Sequence, residues 1–309
     1  MSWIVLFILN KVYQTPFLLC LYKIYKYAFH YITQTSELYR ICHSASLATD
    51  VDMVTIHPFT IHRIEQSIIH SSQLAQEKQT LASSNTLQNI LLKKFPPFAL
   101  KSPAASILGN SLNYIVATRQ LALEVREKVD TKYDSDNKEH EDKLYELWNC
   151  MMPDTKLDAR LSKQWVDIGF QGSDPATDFR GMGIQGLDDL LYFARVYPNH
   201  AASVFQHARH PVYWYPYAIV GINLTKLSVE LLESKQLQFY LYKYGSDQFP
   251  EVYCYLYYRF NLFWIQHEPK LTVMDFEKTM VEFRRLIKLE LIQSEVKPLV
   301  VLQLEKDII

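Results

Sequence analysis

The chain has 309 residues, 49% apolar and 14% aromatic, which is ample for a packed core and unlike a disordered protein. Its 32 basic and 33 acidic residues leave a net charge of −1. This gives no long-range field for nucleic acid, and no basic run with interleaved aromatics appears.

The first 35 residues form an apolar leader. The stretch from residue 3 to 22 is the most apolar in the chain, but Asn10, Lys11, Gln14, Thr15 and Pro16 interrupt it near its middle. A spanning helix needs about 20 mainly apolar residues, and a central lysine costs about 3 kcal/mol on insertion scales, so a transmembrane span is disfavoured. A secretory signal is disfavoured too, because no positive residue precedes the apolar run. Two readings remain: a membrane-surface helix, helped by Lys11, Lys23, Lys26 and the neighbouring aromatics, or a helix packed on the rest of the protein.

Residues 36–130 show a helical but less regular pattern. Pro96, Pro97 and Pro103 forbid a helix through 95–103, and Leu108, Leu112, Ile115, Leu121 and Val125 then predict an amphipathic helix over 107–129. The polar run from Asp130 to Asp142 reads as a linker, and a domain boundary is placed near 130. Cys20, Cys42, Cys150 and Cys254 lie far apart without a CxxC, so neither a disulfide framework nor a zinc site is indicated, and the pattern suits a reducing compartment.

Residues 165–193 hold five of the eight glycines: Gly169, Gly172, Gly181, Gly183 and Gly186. Such a cluster marks a tightly folded loop. Asp158 is placed to cap a helix with Leu161, Trp165 and Ile168 on its apolar face, and Gly169 stands where a left-handed cap belongs. Asp174 and Pro175 form a cap and first turn. A second helix carries Leu187, Leu190, Leu191 and Ala194, with Asp188 and Asp189 in its first turn, where carboxylates suit the helix dipole. Asp178, Phe179 and Arg180 precede the glycine run. Arg180 reads either as one half of an ion pair with Asp174 or Asp178, or as a planar cation offered to a partner's phosphate.

This window resembles the signature of the ELMO domain, shared by the engulfment and cell motility proteins and the shorter ELMO-domain-containing proteins. The likeness rests on Trp165, the block from Ile168 to Gly172, the Asp174–Pro175 pair, Thr177 to Gly181, Gly183, Gly186, Leu187 and the Tyr192–Phe193 pair. Gln185 departs from it, since the family usually carries an apolar residue there. His62, Arg63, Ile64, Glu65 and Gln66 resemble a short sequence found ahead of the domain in the shorter members.

Downstream, His200, His207 and His210 lie close together but lack a nearby Cys or an HExxH pattern, and read as structural or solvent-exposed. Pro216 opens a buried central helix over 217–232. Tyr255, Phe260, Phe263 and Trp264 mark an aromatic core segment over 251–267, and Phe276, Met280, Phe283 and Ile287 predict a last helix over 275–293. No strand alternation appears in 130–295, so the fold class is all-α: one helical ELMO domain over 131–295 behind a helical N-terminal extension, with 296–309 as a tail. Gly181, Gly183 and Gly186 satisfy GxGxxG, but no strand precedes them and the helix that follows opens with two carboxylates, against a dinucleotide site. No Walker or GxSxG sequence occurs, so a self-contained hydrolase is not expected, and no cofactor or metal is called for.

The resemblance implies more than the residues do. Several ELMO-domain proteins activate Arf and Arf-like GTPases, and the arginine of their DFRG element, Arg180 here, is the group thought to be needed. The chain would then be a regulator of an enzyme, cytoplasmic or peripheral on an intracellular membrane, with a GTP-bound Arf-family protein as partner. Trp165, Gly169, Gln171, Gly172, Asp174, Asp178, Gly181, Gly183 and Gly186 would shape the loop. The alternative is a non-catalytic adaptor in small-GTPase signalling, as in the larger engulfment proteins.

Overall fold

The computed structural model describes residues 11–13, 15–48 and 56–302. The apolar run over 3–10 and the interrupting Gln14 lie outside them, as does the end of the tail from 303. Every regular element among the described residues is helical, and the fold is all-α. No described helix is long and apolar enough to cross a membrane. All four cysteines are free thiols.

The chain divides into two compact units, the first made of Met1–Gln120 with Gln238–Ser246 and the second of Leu121–Leu237 with Asp247–Ile309. The first unit contains α1 (Pro16–Thr33), α2 (Glu37–Ala48), α3 (Pro58–Ile69) and α4 (Thr86–Lys94), followed by the start of α5 (Pro103–Asp130). Prolines sit at the first turn of α1 and α3, where the missing N–H has no partner to lose. Leu38, Ile41 and Cys42 of α2 and Ile61, Ile64 and Ile68 of α3 bury one stripe each, and Ile107, Leu108, Leu112 and Ile115 of α5 complete that core. None of α1 is buried.

Residues 238–246 return to this unit from far along the chain as α10 (Gln238–Tyr244). Glu65 holds them. Its buried carboxylate accepts hydrogen bonds from Gln238 Nε2 and Tyr242 OH, both at 2.8 Å, and Arg119 lies 3.9 Å away. A desolvated carboxylate is tolerated only when so satisfied, so α3 and α10 are fastened by chemistry as well as by packing.

The second unit is built around α9 (Tyr217–Glu233), which buries twelve residues. Beside it lie α6 (Lys138–Met151), α7 (Gly183–Val196), α8 (Pro198–Ala208), α11 (Phe249–Gln266) and α12 (Phe276–Gln293). The predicted central, aromatic and final helices thus form where their spacing places them. Gly221 lets three helices meet: a Cβ there would stand 2.5 Å from Leu190 of α7 and 2.7 Å from Tyr253 OH of α11. Glu251 of α11 gathers Tyr192 OH, Tyr197 OH and the backbone N–H of Leu299, so the start of the tail is docked and Leu299 is buried. The expected linker from 130 to 142 is shorter than its composition suggests. α5 runs to Asp130 and α6 starts at Lys138 behind an Asn137 cap, because charged residues there occupy helix termini and not coil.

Candidate functional site

The site begins where the chain leaves α6. A 3₁₀ helix, Lys163–Ile168, is capped by Ser162, whose Oγ accepts the N–H of Gln164 at 3.2 Å. The expected cap, Asp158, does not serve: its own backbone N–H donates to Gln164 Oε1. Leu161 lies outside the helix and is exposed, and only Trp165 and Ile168 are buried. The physical reason is the tighter winding, which stacks residues three apart on one side. Gly169 then reverses the chain at φ +88°, and a Cβ there would stand 2.3 Å from the backbone N of Tyr217. Only glycine fits this closure.

Trp165 is the floor of the loop. Its Nε1 donates to the Arg160 carbonyl at 2.7 Å, and its ring meets Trp148 and Phe170 edge-on, with Phe170 in turn against Phe179. On this aromatic base lies a second 3₁₀ helix, Pro175–Gly181, capped by Asp174 as the sequence predicts; its Oδ1 accepts the N–H of Ala176 at 3.1 Å. The backbone N–H of Gln171 donates to Asp178 Oδ2 at 2.9 Å and ties the two arms of the loop together. Burial pushes the Asp178 carboxyl above its usual range, opposed by that N–H and by the charge of Arg180.

Arg180 is exposed and pairs with neither candidate aspartate. Its Nε donates to the Thr177 carbonyl at 2.6 Å, and among the described residues Nη1 and Nη2 make no hydrogen bond and the guanidinium no ion pair. Asp174 is instead neutralised by Arg160, at 2.9 Å, and Arg160 also reaches Glu141. No local sequence pattern signals Arg160, which lies 14 positions from Asp174. Asp174 thus has its own base, and Arg180 is held at one nitrogen, its outer edge free among the described residues.

α7 starts at Gly183, which takes φ +52° over the end of α5; a Cβ would stand 2.4 Å from the carbonyl oxygens of both Val129 and Thr131. This early start puts Asp188 and Asp189 in the second turn of α7, not the first as expected. Asp188 is clamped by Lys128 and Lys143, at 2.8 and 2.9 Å. Around the other glycines the space is different. A Cβ on Gly186 would meet Phe179 at 3.3 Å, whereas at Gly172 and Gly181 it would meet nothing within 4 Å. Beside the loop, Val166, Gln171, Phe205, Arg209, Trp214 and Tyr217 line a cleft of about 490 Å³ that no local sequence pattern signals. His207 contacts Asn261 and His210 stacks on Tyr213; no three metal-binding side chains converge among the described residues.

A profile of the ELMO/CED-12 family matches residues 123–280, just over half of the chain and all of this loop. The chain belongs to that family. It is 40% identical over 242 residues to ELMO domain-containing protein 2 of Bos taurus, covering 74% of this chain and 80% of that protein. It is 35% identical over 272 residues to ELMO domain-containing protein B of Dictyostelium discoideum, covering 85% and 92%, and 34% identical over 303 residues to ELMO domain-containing protein 1 of Homo sapiens, covering 86% and 87%. Membership of the ELMO/CED-12 family supports a role in small-GTPase signalling.

Within this ELMO domain the structure also accounts for Gln185. It is buried, and its Nε2 donates 2.7 Å to Oδ1 of Asp189, one helical turn on, so the polar residue at a usually apolar position serves a buried carboxyl. Burial pushes that carboxyl up to about 7, opposed by the Thr225 hydroxyl and the Gln185 amide.

Proposed function

We propose that the chain is a GTPase-activating protein for an Arf or Arf-like GTPase, supplying Arg180 in trans. The observation that supports this is the outer edge of the Arg180 guanidinium, exposed and without an acid partner among the described residues, while the neighbouring Asp174 is paired with Arg160 instead. GTP hydrolysis by small GTPases is slow because negative charge builds on phosphoryl and leaving oxygens without enough compensation. A partner's arginine can raise the rate about 10³- to 10⁵-fold. Nε is spent on Thr177, which fixes the direction of the side chain, and Nη1 and Nη2 remain to meet two oxygens in one plane. The chain works on the cytoplasmic side of an intracellular membrane, to which the leader attaches it peripherally through the exposed apolar side of α1.

Single-turnover GTP hydrolysis across a panel of Arf-family GTPases, with wild type and Arg180→Lys, tests the reading. The expected result is stimulation of at least one GTPase by wild type and loss of most of it in Arg180→Lys, with an unchanged melting temperature because only the Thr177 contact is at stake. Full stimulation by a folded Arg180→Ala protein would eliminate an arginine supplied in trans and leave the adaptor reading.

A further inference from the structure

α1 carries two kinds of residue on opposite sides. Phe17, Leu21, Ile24 and Ile32 recur at helical spacing and are exposed, whereas Lys23, Lys26 and His30, spaced three and then four apart, share the other side. That basic side lines a cleft of about 570 Å³ in the first unit, together with His70, Lys93 and Lys94. Four lysines line this cleft beside a single lining carboxylate, Glu37, and Glu37 is fully engaged, by Lys26 at 2.5 Å and by the hydroxyls of Tyr22 and Ser67.

The remaining positive charge is poorly compensated. Lys93 is paired with Glu77, but Lys94 has only the amide oxygen of Gln73, and Lys23 has no ion pair among the described residues. The Lys94 amine is held below the usual lysine range by burial and then by the charges of Lys26 and Lys93. Ser71 and Ser72 line the same cleft, and among the described residues their hydroxyls have no hydrogen-bond partner. Crowded ammonium groups beside idle hydroxyls form a receptor for a multiply charged oxyanion.

We propose that this cleft binds the phosphomonoester groups of a lipid headgroup while the outer side of α1 lies at the acyl boundary of the same leaflet. A lipid is favoured over a soluble phosphate because the cleft and an apolar side that is exposed among the described residues belong to one helix. A helix is about 10 Å wide, so with its apolar side immersed the cleft stands roughly one helix diameter above the acyl chains, within reach of a headgroup that projects. The inference rests on the peripheral attachment proposed above and is independent of Arg180.

The test uses the full chain with three kinds of phosphatidylcholine vesicle: neutral, carrying phosphatidylinositol bisphosphate, or carrying the same charge as phosphatidylserine; inositol trisphosphate is the soluble probe. The bisphosphate vesicles should be bound at least tenfold more tightly than the serine vesicles. Lys23→Gln with Lys94→Gln should weaken that binding about 25-fold, roughly fivefold for each lysine at an anionic surface. Lys101→Gln with Lys278→Gln, outside the cleft, should not, and the melting temperature of each variant checks its fold. Equal affinity for the two charged vesicles, or a cleft variant no weaker than the control, would overturn the proposal. Binding to neutral vesicles that is insensitive to the lysines would keep the attachment and overturn the headgroup site. Capture of inositol trisphosphate without any vesicle binding would overturn the lipid source, and binding to none of the probes would overturn the whole.

Discussion

Gly181 and Gly183 stand two residues apart and answer to different constraints. Gly183 takes a left-handed conformation against the carbonyls that end α5, so Gly183→Ala faces both backbone strain and a clash and should cost about 2–3 kcal/mol or more. Gly181→Ala meets open space and should stay within about 0.5 kcal/mol of wild type. Urea midpoints of the two variants check this. Asp189 makes a prediction about pH. Its folded carboxyl titrates near 7 against an ordinary value of 3.8, so between those values the folded state holds a proton that the unfolded state releases. Stability contributed by the neutral carboxyl is therefore complete below about pH 4, falls as the pH rises towards 7, and is gone above it, a change on the order of a few kcal/mol. Asp189→Asn, which keeps an oxygen for Gln185, should flatten that decline when unfolding free energies at pH 5 and pH 8 are compared.

The 3₁₀ helix Pro175–Gly181 depends on Asp174 twice, as its cap and as the partner of Arg160. Asp174→Ala removes both roles and should cost about 1–2 kcal/mol, while Asp174→Asn keeps an acceptor for Ala176 and should cost less. If Arg180 is aimed by this turn, both variants should also lower GTPase stimulation more than their unfolding explains. Thermal melts alongside hydrolysis rates separate the two effects. Such short elements are where sequence reading loses precision. α9, α11 and α12 were legible because their buried side chains recur over four or five turns. A six-residue 3₁₀ helix offers no such repeat, and so Ser162 caps where Asp158 was expected and Leu161 faces solvent. Asp174 and Gly169 could be read from local chemistry, whereas Arg160, which takes Asp174 and so decides between the two readings of Arg180, and the cleft beside Trp214 depend on segments brought together only by folding.

On the scale of the whole molecule, the first unit is discontinuous, since it needs residues 238–246 to satisfy Glu65. A fragment of residues 1–120 should consequently be much less stable than the same unit in the intact chain. Adding a peptide of residues 236–248 should raise its melting temperature, and Glu65→Gln should weaken that rescue by removing a charged acceptor. Fluorescence-detected melts with and without the peptide measure both effects. The local sequence of α10 says only that it is aromatic and amphipathic; its unit is decided by partners 173 and 177 positions away. On the ribosome this separation becomes a delay. Translation proceeds at about 5–20 residues per second, so roughly ten seconds pass between the emergence of residue 120 and that of residue 238, and throughout them the nascent first unit lacks the strip that receives the Glu65 charge.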